Sequence, residues 1–162
     1  MKQFIVAIIL LFPFCLFAKD TQTQPKAKGQ TQTRPAEVVV SYDVLLEGTY
    51  SGVRDPLAKV ITDSKDFEEL WKKHVSMIVP QPLIPKVDFD GSVVVAIFAG
   101  EKRTSGYQIV LKSVAAKDKN VEVTYRETEP PANSMMLQVL TQPFLMLRIT
   151  KPASGSVILV KK

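Results

Sequence analysis

The chain of 162 residues is poor in the side chains that most often carry out chemistry. It has one cysteine, Cys15, and one histidine, His74. A structural zinc site needs several cysteine or histidine ligands, so a site of that type is excluded. A Ser-His-Asp triad would have to be built on His74 itself. P-loop, dinucleotide-binding, Gly-x-Ser-x-Gly and Ser-x-x-Lys motifs are also absent, so we expect no cofactor and no hydrolysis by the usual nucleophiles.

The single histidine lies in a sequence context that favours packing over catalysis. His74 follows Leu70 and Trp71 at the edge of an apolar stripe with helical spacing. A histidine in that position is commonly packed or half-exposed, with its body among apolar side chains. We therefore predict a structural role for His74.

A pair of carboxylates is the remaining candidate for catalysis. Asp88 and Asp90 are two residues apart, which on a strand places both on one side, and paired carboxylates can catalyse glycoside hydrolysis. Aspartates beside Gly91 are equally typical of a turn, and a calcium loop would need more acidic positions. We predict that the protein is not an enzyme and keep a carboxylate enzyme as an alternative.

The first 18 residues have the pattern of a secretory signal peptide, with Lys2, an apolar stretch over 4–17 and the small residue Ala18. Cleavage after Ala18 would remove the only cysteine and leave no transmembrane span, whereas an uncleaved segment would act as an anchor. Lipoprotein processing at Cys15 is favoured less, because Phe-Pro-Phe precedes it instead of a small residue. We expect an exported protein that is periplasmic, envelope-associated or extracellular.

The next segment, residues 19–37, contains Thr-Gln repeats and no large apolar residue. This composition predicts a disordered polar linker, since nothing in it can form a core. The net charge of +5 is modest and spread along the chain. Nucleic acid is therefore not the expected partner of an exported chain of this kind.

Residues 38–162 are predicted to form one domain. Apolar alternation predicts strands within 38–50, 57–61, 107–112, 121–126, 145–149 and 157–160. From Asp63 the apolar spacing changes to that of an amphipathic helix, which Asp63 or Ser64 caps and Pro80 ends. The pattern favours an α+β class: a mainly antiparallel, curved sheet or small barrel with the helix packed against it.

The most informative stretch is 93–114, which reads as two strands and a connector. Its first part, 93–99, is a continuous run of apolar residues, as in a strand that is buried on both faces. Gly100 and Gly106 bracket a polar turn, and both are free to take a positive φ angle. We interpret the stretch as a β-hairpin in the middle of the sheet.

The residues of this turn also carry a family resemblance. Gly100, Arg103, Thr104, Gly106 and Tyr107, followed by alternating aliphatic residues, resemble the signature of the PrcB C-terminal-like family. Ser105 occupies a position where that family has glycine, so the backbone there must be acceptable to serine. Further similarity lies in Leu70-Trp71, in the segment 85–89 and in Gln142-Pro143-Phe144, and the resemblance is expected to extend from Leu57 to the C-terminus.

The resemblance implies a non-enzymatic accessory module that binds a protein partner, because the family is named after a subunit of a secreted protease complex. Exposed loops on a rigid sheet commonly carry recognition, so we expect the turn 100–106 and the neighbouring turn 127–134 to form the binding surface. The candidate partner-binding residues are Arg103, Thr104, Gly106, Tyr107, Pro130 and Pro131. The Arg103 side chain either holds the turn, through carbonyls or a carboxylate such as Asp88, or grips a carboxylate of the partner.

Two alternatives remain open from the residues alone. The first is a module that binds a small molecule or glycan between helix and sheet, near Trp71, Tyr107 and Arg103. For Tyr107 the usual case is a strand tyrosine packed beside Trp71 with its hydroxyl paired, and stacking on a bound ligand is the rarer one. The second is a protease inhibitor in which 129–134 acts as a stiff, substrate-like loop. The sequence does not indicate the identity of a partner or the oligomeric state.

Overall fold

The computed structural model describes residues 40–162, and the predicted signal peptide and linker lie outside the described residues. Seven strands and one helix follow one another in the order β1 Tyr42–Gly48, β2 Leu57–Ile61, α1 Ser64–His74, β3 Ser92–Phe98, β4 Gln108–Lys117, β5 Asn120–Thr128, β6 Phe144–Thr150 and β7 Val157–Lys161. A short 3-10 turn, Val75–Met77, extends the helix. The structure thus confirms the type of each predicted element, strand or helix.

The strands form two sheets rather than one. The first has four strands in the order β1-β6-β3-β2, and the second has three in the order β4-β5-β7. All neighbouring strands are antiparallel except β5 and β7, which are parallel. The predicted α+β class is confirmed, while the described residues form two packed sheets with open edges in place of one curved sheet or a barrel.

The expected hairpin over 93–114 is wrong. Strand β3 belongs to the four-stranded sheet and β4 to the three-stranded sheet, so the connector between them crosses from one sheet to the other. The pattern of apolar residues predicts each strand, but it does not indicate to which sheet a strand belongs. Within the four-stranded sheet β3 pairs with β6, which lies almost fifty residues further along the chain.

Strand β3 is buried on both faces, as its continuous apolar run predicts. Val93, Val95 and Ile97 face the three-stranded sheet and form one core with residues of β5 and β6. Val94, Ala96 and Phe98 face the helix and form a second core. The four-stranded sheet is therefore the middle of three layers, with α1 on one side and the second sheet on the other.

The helix covers its face of the middle sheet with the stripe that the sequence indicates. Phe67, Trp71 and Val75 are buried in the second core, and Trp71 Nε1 donates a hydrogen bond to the carbonyl of Pro82 (3.4 Å). At the N-terminus the side chain of Asp63 accepts a hydrogen bond from the amide of Asp66 (2.9 Å). Asp63 is thus the N-cap, one of the two residues predicted for that position.

His74 is fully buried at the end of α1, which confirms the predicted structural role. Its Nδ1 lies 2.9 Å from Ser51 Oγ, and its ring meets the ring of Phe144 edge-on at 4.4 Å. Ser51 Oγ already accepts a hydrogen bond from the amide of Val53, so the hydroxyl proton is free to be donated to Nδ1. Burial lowers the pKa of His74 to about 4, and the imidazole is neutral at pH 7.

This burial predicts a stability that depends on pH. The folded pKa of about 4 lies below the ordinary value of 6.5, so the unfolded chain takes up the proton first and stability is lost as pH falls from 6.5 towards 4. We expect this group to contribute a loss of at most about 3 kcal/mol in the free energy of unfolding. Urea unfolding of the wild type and of His74→Gln between pH 7 and pH 4 measures this pH-dependent loss of stability. An equally steep decline in both proteins would contradict the assignment to His74.

Candidate interaction surface

The crossover between the sheets, residues 99–107, is shaped by two glycines. Gly100 and Gly106 have φ angles of +75° and +93°, which confirms that both take positive values. A Cβ atom on Gly100 would lie 2.8 Å from Pro56 Cδ, and one on Gly106 would lie 2.8 Å from Pro130 Cβ. Both positions therefore need glycine for conformation and for space.

Backbone hydrogen bonds fix the crossover to the segment that precedes β6. Lys102 and Thr141 exchange two of them, at 2.8 and 2.9 Å, and the amide of Ser105 donates to the carbonyl of Leu137 (3.0 Å). The hydroxyl of Thr141 donates to the carbonyl of Thr104 (3.0 Å). On the other side the amide of Glu101 donates to the carbonyl of Arg54. The crossover is thus held from two directions.

Ser105 is compatible with its backbone and adds a contact of its own. Its φ angle is not positive, since Asp118 and Asn133 are the non-glycine residues that have one among residues 40–162. Its Oγ accepts a hydrogen bond from the amide of Leu137 (3.0 Å). Glycine at this position could not make that bond, so the departure from the family pattern ties the crossover more firmly to 137.

Three charged side chains at the base of the crossover come from distant parts of the chain. The Glu127 carboxylate pairs with Lys102 and, at 2.8 Å, with Lys161. Burial by itself would raise the pKa of Glu127, but the hydrogen bonds from the two lysines bring it below its ordinary value, and Glu127 in turn raises the pKa of Lys161. Lys102 Nζ also lies 5.1 Å above the centre of the Tyr107 ring, a cation–π contact. The cluster anchors Lys102 and Tyr107 inside the turn.

Arg103 projects from the same turn and has no side-chain partner within the part of the chain that the structure describes. It is exposed, and none of the hydrogen bonds or ion pairs formed among residues 40–162 involves its side chain. Of the two roles left open for Arg103, the one in which it holds the turn through a carboxylate such as Asp88 is not formed, and Asp88 Oδ1 accepts a hydrogen bond from the amide of Asp90 (3.0 Å). The two aspartates thus form a local turn, as the alternative interpretation of that pair holds. The guanidinium of Arg103 is free for an external carboxylate.

The second predicted turn lies against the first. Pro130 packs on Gly106, and the carbonyl of Pro131 accepts hydrogen bonds from the amide (3.1 Å) and hydroxyl (2.7 Å) of Ser134. Asn133 has a φ angle of 65°, which completes a tight turn. The structure thus brings Arg103, Thr104, Gly106, Tyr107, Pro130 and Pro131 into one region, which we call the signature surface and define as residues 100–107 and 129–137.

Exposed apolar side chains complete the signature surface. Met135 is fully exposed and Leu137 is 72 % exposed. The side chain of Leu137 is exposed although both its amide and its carbonyl are hydrogen-bonded to Ser105. Contiguous exposed apolar side chains are typical of interaction sites, and Met135 and Leu137 are two residues apart in one segment. The sequence marks 135–140 as apolar but offers no periodicity that would show it to be an exposed, non-strand segment.

The structural packing of Tyr107 beside Trp71, which the sequence favours, is not formed. The ring contacts of Trp71 are with Phe67 and His74, and Trp71 is 6 % exposed. Tyr107 instead contacts Lys102. Sequence analysis also missed the roles of Lys102, Glu127 and Lys161, since their separation along the chain leaves no local signal.

Comparison with known proteins identifies part of this region. Residues 93–150 match the family model described as PrcB C-terminal. The match covers the chain from β3 to the end of β6, including the crossover and the second turn, and confirms the resemblance over a shorter range than expected. No curated protein and no solved structure matches the chain. Among residues 40–162 no helix is long and apolar enough to cross a membrane.

The fit of Gly106 against Pro130 predicts a sharp cost of substitution. Gly106→Ala places a side chain at a φ of +93° and 2.8 Å from Pro130 Cβ, so we expect a loss of about 1–3 kcal/mol in the free energy of unfolding. Gly91→Ala is the matched control, because its Cβ would meet the flexible end of Asp88 at 3.3 Å. Chemical unfolding of both variants measures the difference, and equal stabilities would contradict this account of the turn.

Proposed function

We propose that this chain, whose residues 93–150 belong to the PrcB C-terminal family, is an exported, non-enzymatic module that binds a protein partner through the signature surface. The resemblance to this family supports a role as an accessory subunit. A secreted protease is the partner to which the family name points.

One observation carries the proposal: hydrogen bonds join two segments of the signature surface, one with an exposed arginine that forms no ion pair with any residue of 40–162 and one with exposed apolar side chains. Arg103 is exposed, and Met135 and Leu137 belong to the segment to which the crossover is hydrogen-bonded. Arginine is among the residues that dominate the binding energy of many protein interfaces, and arginine and methionine are both enriched at the cores of such interfaces. A fixed backbone reduces the entropy that binding would otherwise cost.

The residues that could have supported catalysis are used otherwise. The imidazole of His74 is buried between Trp71 and Phe144 and away from solvent. Asp88 caps a local turn. These placements favour a binding role over an acid–base role for the described residues.

The same geometry weighs against the two alternative binding modes. Trp71 is covered by its neighbours, so a glycan could not stack on it without opening the second core. The turn at 130–134 is closed on itself by Ser134, whereas a substrate-like inhibitory loop would need an extended backbone. Protein binding through the signature surface is favoured over both.

The proposal is tested by capture of envelope proteins on the purified chain. We compare the wild type with Arg103→Ala and with the double variant Met135→Ser, Leu137→Ser, and identify retained proteins by mass spectrometry. The expected result is a partner, such as a secreted protease, whose affinity falls by about tenfold or more in each variant.

Arg126→Ala is the matched control, since Arg126 is an exposed arginine on β5 outside the signature surface. All variants are first shown to unfold at the wild-type temperature. A partner retained equally by the wild type and by both signature variants would refute the surface, and a partner lost equally with Arg126→Ala would show nonspecific charge binding.

A further inference from the structure

The two sheets leave an open seam between strand β2 and strand β7, which adjoins the signature surface at the pairing of Lys102 with Glu127. Strand β2 is the last strand of the four-stranded sheet, and β7 is the last strand of the three-stranded sheet. Two cavities lie along the seam. One, of about 230 Å³, is beside Ala58 and Lys161, and the other, of about 300 Å³, is beside Val60 and Val157.

The first cavity follows from a small side chain at a core-facing position. Ala58 is paired with Ile97, which faces the core between the sheets, so Ala58 faces it too. A methyl group is too short to fill the gap above Ile97, Ile109 and Tyr125, which line the cavity. The cavity therefore has walls of buried apolar side chains, and at this position β2 contributes only the methyl group of Ala58.

The main chain along this seam also has no partner strand among residues 40–162. Strand β2 pairs with β3 on one edge, and among residues 40–162 no further backbone hydrogen bond is formed by 57–61. Its five residues extend over about 17 Å. Alternate N–H and C=O groups on the outer edge are thus available to another strand.

The end of the cavity carries a net positive charge. Lys161 pairs in register with Tyr125 and reaches Glu127, which also lines the cavity. Lys102 binds the same carboxylate, so two lysines share one negative charge. The Lys161 side chain is 58 % exposed, and an added carboxylate would balance the cluster.

We propose that this seam binds an extended segment of a partner protein as an additional strand on β2. One bulky apolar side chain of that segment fills the cavity at Ala58, and an acidic residue or a C-terminal carboxylate lies next to Lys161. This is β-strand addition, in which backbone hydrogen bonds supply affinity and pockets for alternate side chains supply specificity.

The size of the cavity favours a peptide over a small molecule. Sites for small ligands usually enclose about 300–1,000 Å³, whereas about 230 Å³ suits a single large side chain. A free small molecule would also leave the outer edge of β2 unpaired. The open main chain and the single-residue cavity together fit a strand.

The test is selection from a displayed library of random linear peptides on the immobilised chain, followed by affinity measurements with the enriched peptides. We expect alternating apolar residues and an acidic group in the enriched sequences. Ala58→Phe, which fills the cavity at an exposed edge position, should weaken binding by about tenfold or more. Arg103→Ala, on the signature surface, should leave it unchanged.

Methylation of the peptide nitrogens tests the pairing without altering the protein. Only alternate N–H groups of an added strand point towards β2, so methylation in one frame should abolish binding and in the other frame should spare it. Amide exchange should show new protection within 57–61. Failure to enrich any peptide, binding that survives Ala58→Phe, binding that survives methylation in both frames, or loss of binding with Arg103→Ala would each overturn the proposal.

Discussion

The burial of β3 and β6 on both faces is the constraint on which the rest of the structure depends. Val94 and Met146 face the helix, while Val95 and Leu147 face the second sheet. A strand that is apolar on both faces must be covered on both. The helix covers only one side of the first sheet, so a second sheet is needed to cover the other side. The chain therefore leaves the first sheet directly after β3 and builds the second sheet.

The crossover connects the two sheets and also carries part of the proposed binding surface. A connector between two layers runs across the end of the cores, and here it is fixed by Thr141, by Pro130 and by the pairing of Lys102 with Glu127. The side chains that point inwards secure the turn. Arg103, which points outwards, is therefore presented on a backbone that the core itself holds in position.

Local features of the fold could be predicted from the sequence, whereas its long-range pairings could not. The continuous apolar run of β3, the Asp63 cap and the positive φ angles of Gly100 and Gly106 each follow from neighbouring residues. The crossover was mistaken for a hairpin because a short polar turn between two strands looks the same in both cases. Glu127 meets Lys102 and Lys161 only after both sheets have formed, so the charge cluster has no local signature.

The candidate site divides in the same way. The sequence by itself identifies four candidate residues of the turn, Arg103, Thr104, Gly106 and Tyr107. In the structure Pro130 lies next to this turn, as expected. The hydrogen bond of Ser105 to Leu137 and the exposure of Met135 depend on how a segment without strand pattern is laid along the turn. Tertiary placement, which no periodicity encodes, therefore decides which part of the surface is apolar.

The central claim is that the crossover is a fixed part of the domain and not a free loop. Site-resolved amide hydrogen exchange of the folded chain tests this most directly. The account predicts that the amides of Lys102, Ser105 and Thr141, which are all hydrogen-bonded, exchange nearly as slowly as those of β3, while the amide of Arg103 exchanges quickly. Rapid exchange of all four would contradict the account, because the turn would then be a loop that opens independently of the core.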